Sequence, residues 1–271
     1  SWIVMKQVLA WAGPFDFAAL RYLIGAAVLF AVLLLSRRSL RPPPLGPTIL
    51  IGLCQTAAFQ GLEQWALLDG GAGHVALLAY TMPFWAVLLA WLLLRDKPTP
   101  RHWLGLALAA IGLLCIIEPW RPMGSIMSTL LAILGGLAWA AGTVLSKRLF
   151  QRHAPDVLGL TAWQMLAGGV ALGLFALAMP QRPLVWNWAF VGGLAYSAVL
   201  ASAAAWWLWS IVLQRLPTTV ASVSSLGVPV LGVLLAWWLL HEQPSPLEAT
   251  GIVFVLLGLL AVSGVRLPRR G

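Results

Sequence analysis

The chain has 271 residues, of which 61% are hydrophobic and only 9% charged, with a net charge of +9. A soluble domain of this length is about one quarter charged, so the charges here are too few to coat a water-facing surface. Long apolar runs recur from end to end, which makes a lipid bilayer the natural solvent. In a soluble protein this positive charge would point to nucleic acid. Here the basic residues fall between apolar runs and read as topology signals, so no nucleic-acid partner is expected.

A bilayer span needs roughly 20 apolar residues. Ten runs stand out in chain order: 1–12, 16–36, 46–67, 71–94, 101–118, 127–149, 157–178, 188–213, 218–240 and 246–265. The expected fold class is an all-α membrane protein of ten transmembrane helices. The first run is too short to span, and Ser1 has no Met before it, so the start of helix 1 is expected to be missing. A signal peptide is the other reading of this run, but it lacks a basic start and a small-residue cleavage site. Connections are short and rich in turn residues, as at Gly13-Pro14, Pro42-Pro43-Pro44, Asp69-Gly70-Gly71, Lys97-Pro98 and Arg121-Pro122. They leave no room for a soluble domain. Cys54 and Cys115 lie inside apolar runs with no metal spacing and read as buried thiols. No metal site and no cofactor are expected, and nothing in the pattern dictates an oligomeric state.

Orientation follows from where Lys and Arg fall in the loops. With the N-terminus inside, the inner side holds Arg37, Arg38, Arg41, Arg95, Lys97, Arg101, Lys147, Arg148, Arg152, Arg215, Arg266, Arg269 and Arg270, against Arg121 and Arg182 outside. Lys147 lies at the edge of a segment, and the asymmetry holds without it. Both termini are therefore expected in the cytoplasm. Short loops and the lack of added domains fit a bacterial inner membrane.

The chain also resembles itself. Leu88–Pro100 (LLAWLLLRDKPTP) and Leu234–Pro246 (LLAWWLLHEQPSP) are identical at most positions, with Asp96 facing Glu242. The same offset of 146 pairs Gly105 with Gly251 and Gly112 with Gly258, while an offset of 141 pairs Lys6 with Lys147, Pro14 with Pro155 and Gly52 with Gly193. The matches keep their order, so the expected units are residues 1–120 and 121–271, five helices each. Five is odd, so the second copy enters the membrane from the opposite side. Inverted repeats of this kind are common in secondary transporters, because two similar halves in opposite orientation give outward-open and inward-open states of similar energy. Duplication kept for packing, and a channel, are the other readings of such a repeat.

These residues resemble EamA-type members of the drug/metabolite transporter superfamily. The resemblance rests on Lys6, Pro14 and Arg21 in the first copy. In both copies it rests on a Pro inside the fourth helix (Pro83, Pro229), an acidic residue at its end (Asp96, Glu242), and the glycine pairs that follow. It covers nearly the whole chain. Two departures are visible: the family usually has Gly-Glu where this chain has Arg95-Asp96 and His241-Glu242, and Gln164 stands where the first copy has Arg21. The resemblance implies ten helices with both termini inside and export of small metabolites, often amino acids. Within the family it is nearest to bacterial inner-membrane exporters of aromatic amino acids. An efflux pump for lipophilic cations is the alternative, and would depend on a lone acid and aromatics.

Ionisable groups inside a bilayer are costly and point to function. Lys6, Arg21 and Glu63 each lie six or seven residues from the outer end of their helices, roughly 10 Å deep at 1.5 Å per residue. Equal depth allows them to meet, either as a charged site for a zwitterion or a proton, or as a structural ion pair joining helices 1, 2 and 3. Thr56, Gln60, Glu63 and Gln64 share one face of helix 3, which must avoid lipid. Helix 4 adds His74, Thr81 and Trp85 on one face, with Tyr80 and Phe84 beside it. Such aromatic spacing serves packing as readily as binding.

Of the sixteen Trp, those at 2, 11, 103, 120, 186 and 188 lie near helix ends and read as interfacial anchors. Trp85, Trp139, Trp163, Trp206, Trp207 and Trp209 fall within segments. Trp139 and Trp163 are the cavity candidates, since Thr143 lies four residues beyond the first and Gln164 adjoins the second. Pro83 and Pro229 each free a carbonyl one turn earlier and are candidate hinges. Gly135-Gly136, Gly168-Gly169, Gly192-Gly193 and 202–205 supply small residues for close helix contact. An enzyme is not expected: the chain has no HExxH, GxSxG or P-loop, and its four His are scattered. With no ATP-binding element, transport must draw on gradients of a small-molecule substrate or an ion.

Overall fold

The computed structural model describes residues 2–118, 125–231, 234 and 245–263. Among them every regular element is helical. In chain order these are α1 (Trp2–Val8), α2 (Pro14–Leu35), α3 (Leu45–Asp69), α4 (Ala72–Leu94) and α5 (Pro100–Ile117). There follow α6 (Ile126–His153), α7 (Val157–Ala178), α8 (Trp188–Arg215), α9 (Thr218–Leu231) and α10 (Pro246–Ser263). Seven of these, α2, α3, α4, α6, α7, α8 and α10, are long and apolar enough to cross a membrane, while α5 and α9 are apolar but shorter. The protein is a multi-pass membrane protein. Glu242, Trp120, Arg121, the C-terminal arginines and most of the second LLAW segment lie outside the described residues.

Local chemistry starts and stops the helices where turn residues stand. Ser125, Asp156 and Asn187 accept backbone N–H groups at the starts of α6, α7 and α8, and Pro14 sits in the first turn of α2. Arg95 and Ala154 adopt left-handed conformations (φ 57° and 42°) that close α4 and α6. Ala154 cannot continue the helix because Pro155 follows it.

Two helices carry widened, π-helical turns in their middle: Gly52–Ala58 in α3 and Val199–Ala204 in α8. Such turns displace the backbone ladder and are found at functional sites. α4 is interrupted rather than merely kinked. It stops at Ala79 and resumes at Met82, with the Thr81 N–H turned to Leu78 O (3.0 Å) just before Pro83. α9 does the same before Pro229, where the N–H groups of Ser225 and Leu226 reach back three residues to Ser222 and Val223 (3.1 and 3.0 Å).

The core is built on two helix pairs in which backbones nearly touch. α5 packs on α10. A Cβ at Gly105 would lie 2.7 Å from the Gly258 carbonyl oxygen, and one at Gly112 would lie 2.6 Å from that of Gly251. As one residue number rises the other falls, so these helices run antiparallel. The contact is reciprocal: Gly258 meets Gly105 O at 2.6 Å and Gly251 meets Gly112 O at 2.7 Å. α2 and α7 cross in the same sense, with Gly25 against Met165, Gly169 against Leu23 and Gly173 against Ala19. In a bilayer no hydrophobic drive pulls helices together, so glycine seams that permit dense packing hold them.

The helix ends repeat as well. Lys6 Nζ donates to the carbonyls of Leu67, Leu68 (3.2 Å) and Gly70 (3.0 Å) at the end of α3. Lys147 Nζ donates to Leu213 (3.0 Å), Gln214 (3.5 Å) and Leu216 (2.8 Å) at the end of α8. Each acceptor in the second set lies 146 residues after its counterpart (67 to 213, 68 to 214, 70 to 216). A helix leaves its last carbonyls unsatisfied and its C-terminus negative, which an ammonium with three donors offsets.

Candidate functional site

A cavity of about 380 Å³ opens between helices drawn from much of the chain. Its walls come from α1 (Trp2, Met5), α2 (Arg21), α3 (Phe59, Gln60), the break in α4 (Tyr80), α6 (Trp139), α8 (Ala201, Ala205, Trp206, Trp209, Val212) and α9 (Ala221, Ser224, Ser225, Val228).

Trp139 is the hub of its aromatic wall. It stacks on Phe59 (centroids 5.0 Å, planes 26° apart) and meets Tyr80, Trp206 and Trp209 edge-on at 6.0, 6.0 and 5.8 Å. Offset and edge-on geometry is what ring quadrupoles prefer. Trp206 and Trp209 sit three residues apart on α8 and so share a face. Trp206 is anchored by its indole N–H, which donates to Tyr22 Oη at 2.8 Å.

Arg21 supplies the polar wall and is only 3% exposed. Its Nε donates to the Ser202 hydroxyl and to the Ser197 carbonyl (3.3 Å), and its Nη2 to the Ala201 carbonyl (3.1 Å). The widened turn of α8 makes these acceptors available at mid-helix. The Nη1 group donates to Gln60 Oε1 (3.1 Å) and to Met5 Sδ (2.8 Å). Every one of these acceptors is neutral. Among the described residues no carboxylate pairs with Arg21; the one ion pair there is Arg38–Asp156, at 3.1 Å and about half exposed.

Of the residues expected from the sequence, Arg21, Gln60, Tyr80 and Trp139 meet at this cavity. The expected meeting of Lys6, Arg21 and Glu63 is not seen: Lys6 holds the end of α3, and Arg21 turns to Gln60 and α8. Glu63 is fully buried against Gly135 of α6, whose missing side chain leaves room for the carboxyl. Neither Glu63 oxygen has a hydrogen-bond partner among the described residues. Gln64 is buried beside it and donates to Met5 Sδ (3.1 Å). Gln64 thereby joins Met5 to the Arg21 network without lining the cavity.

The rest lie elsewhere. His74 meets the Thr129 hydroxyl at 3.3 Å, and Thr81 bonds the Leu78 carbonyl at 2.7 Å inside the α4 break. Trp85 is partly buried with its indole N–H unpartnered among the described residues. Trp163 is not at the cavity; it packs edge-on to Phe30 and donates to the Leu40 carbonyl (3.2 Å), beyond the end of α2. Gln164 is buried where α7 crosses Gly52 of α3. Pro83 and Pro229 stand at the two helix breaks. Trp2, read as an interfacial anchor, lines the cavity instead. Sequence reasoning also missed Met5, Phe59, Ser197 and Ser202. The i, i+3 spacing of Trp206 and Trp209 was the signal available for the α8 wall. For Met5 and Ser197 there was none.

A polytopic helical protein with an open, largely apolar cavity between its helices and a buried intramembrane cation in the cavity wall is built like a transporter. Comparison with known proteins agrees: the EamA-like transporter family matches residues 1–118 and 126–264, and the chain belongs to that family. The chain is 26% identical to the uncharacterized transporter YoaV of Bacillus subtilis, covering 96% of this chain and 90% of the relative. It is 30% identical to an uncharacterized transporter of Synechocystis, covering 96% and 84%. A protein of Salmonella typhimurium named "Probable amino-acid metabolite efflux pump" is 27% identical over 99% of this chain and 92% of its own length. A crystal structure superposes with a TM-score of 0.78 over 97% of this chain and 93% of the other, at 21% identity, which speaks for the fold alone.

Proposed function

We propose that this transporter exports amino acids with aromatic or large apolar side chains across a bacterial inner membrane by alternating access. The observation that carries the reading is Arg21: a buried cation without a carboxylate partner among the described residues, set in the wall of an aromatic cavity. A substrate carboxylate would supply the missing counter-charge, and Phe59, Tyr80, Trp139, Trp206 and Trp209 would receive the side chain. The name of the Salmonella relative, a probable amino-acid metabolite efflux pump, supports the wider class of amino-acid metabolites. The lipophilic-cation alternative is disfavoured by the lining, which among the described residues includes no Asp or Glu. Glu63, the lone acid on which such a pump would rely, does not line the cavity.

In this reading residues 1–120 and 121–271 are two five-helix copies in opposite orientation, with ten crossings and both termini in the cytoplasm. The antiparallel seams α5–α10 and α2–α7 and the matched lysine contacts support that arrangement. Rocking of the halves would use the breaks before Pro83 and Pro229. Counterflow of Phe, Trp, Met and Thr in proteoliposomes tests the proposal; purified protein that exchanges none of them refutes it.

A further inference from the structure

The charge balance of the cavity suits the carboxylate of an amino acid better than its ammonium. Among the described residues of the cavity lining, Arg21 is the one Lys, Arg, Asp or Glu. An α-amino acid brings an ammonium together with its carboxylate, and that ammonium needs an anion or strong acceptors once stripped of water. One of the two lone pairs of Gln60 Oε1 is engaged, and an ammonium at the other would lie beside the guanidinium, since this oxygen accepts from Arg21 Nη1 at 3.1 Å. This turns the Gln60 amide so that its NH2 group, a pure donor, is the free end; it makes no hydrogen bond among the described residues. A guanidinium has five N–H donors, and Nη2 uses one of its two on Ala201. The Ser224 and Ser225 hydroxyls donate to the carbonyls of Val220 and Ser222 (both 2.7 Å). They retain neutral acceptor capacity but carry no charge. The polar wall thus pairs one cation with spare N–H donors, and the remaining wall is aromatic and aliphatic.

We infer that this cavity takes aryl-alkyl carboxylates lacking an amino group in preference to the corresponding zwitterionic amino acids. Aromatic monocarboxylates, including the 2-oxo acids that deamination of aromatic amino acids produces, form the matching substrate class. The inference rests on the cavity being the substrate site. A carboxylate alone neutralises Arg21 and completes its fork. The zwitterion brings the same carboxylate plus an ammonium on the adjacent carbon, which the guanidinium repels and which no carboxylate among the described lining residues pairs.

Three ligands that share a phenylethyl core and differ in charge test this: 3-phenylpropanoate, phenylalanine and 2-phenylethylamine. Binding to the purified full chain is read at pH 7.5 by quenching of tryptophan fluorescence, since Trp139, Trp206 and Trp209 line the cavity. The expected order is 3-phenylpropanoate tightest by at least tenfold, then phenylalanine, with no measurable binding of the amine. Arg21→Gln should remove the preference. Gln60→Glu places an acid beside Arg21 and should reverse the order of the first two; it keeps the test valid if Arg21→Gln does not fold. Phenylalanine binding as tightly as 3-phenylpropanoate, or an unchanged order in Gln60→Glu, overturns the inference while leaving amino-acid export standing. Failure of all three ligands overturns both.

Discussion

Replacing Lys6 with Met separates the two roles open to this residue. In the structure its ammonium holds three carbonyls at the end of α3, two of them in partly buried bonds to Leu67 and Gly70 and one, to Leu68, exposed. A hydrogen bond to a charged group contributes about 1.5–3 kcal/mol when buried, and a cation at a partly buried helix C-terminus up to about 2 kcal/mol. The two terms describe the same contact and do not add. Water can take over some of the freed carbonyls at a helix end, so the expected loss is about 2 kcal/mol. For a cooperative unit of this size that is a fall of about 4–8 °C in Tm. Lys147→Met should cost the same within about 1 kcal/mol, because its acceptors occupy equivalent positions at the end of α8. The double variant should be additive, since the two sites share no partner. Thermal unfolding in detergent, followed by fluorescence and size exclusion, reads all three. A Lys6→Met protein with unchanged Tm but abolished aromatic binding would refute the helix-end account and return Lys6 to the substrate site.

Trp139→Ala removes a stack with Phe59 and three edge-on contacts. It should cost about 3 kcal/mol, the low end for such truncations because one side already faces a cavity, and weaken aromatic ligands at least tenfold by fluorescence titration. Gly112→Val and Gly251→Val should each destabilise by about 1–3 kcal/mol, since a Cβ at either site lies 2.6–2.7 Å from the opposing carbonyl oxygen. Gly73→Ala, with no atom within 4 Å of its Cβ position, is the control and should melt like the parent. Glu63→Gln is expected to keep counterflow but lose its pH dependence. A variant that retains the parent's pH profile shows that protons do not couple through this carboxyl.

Much of the scaffold was legible without coordinates. Apolar runs about one bilayer thick, broken by Pro, Gly and charge, mark helices because backbone groups in lipid have to bond within their own segment. The order of matched residues at offsets of 141 and 146 was legible too, although what each matched residue touches was not. Gly105, Gly112, Gly251 and Gly258 do meet, and Lys6 and Lys147 do hold equivalent helix ends. Burial of Arg21, Gln60, Glu63 and Gln64 was also readable, since polar groups at mid-segment cannot face lipid.

What the sequence could not determine was which of these groups share a space. Equal depth put Lys6, Arg21 and Glu63 within reach of one another, but depth is one coordinate, and rotation about each helix decides contact. The fold sends Arg21 toward acceptors on α8 that lie 176–181 residues away, exposed by a widened turn no local pattern announces. It brings Trp2, Trp139, Trp206 and Trp209 from three helices to one wall and carries Trp163 away from it. Composition and periodicity thus settled that the chain is a helical membrane protein with polar groups turned inward. Only the tertiary structure decided that Arg21 would face an aromatic cavity without a carboxylate partner among the described residues, because that depends on how distant helices are rotated against one another.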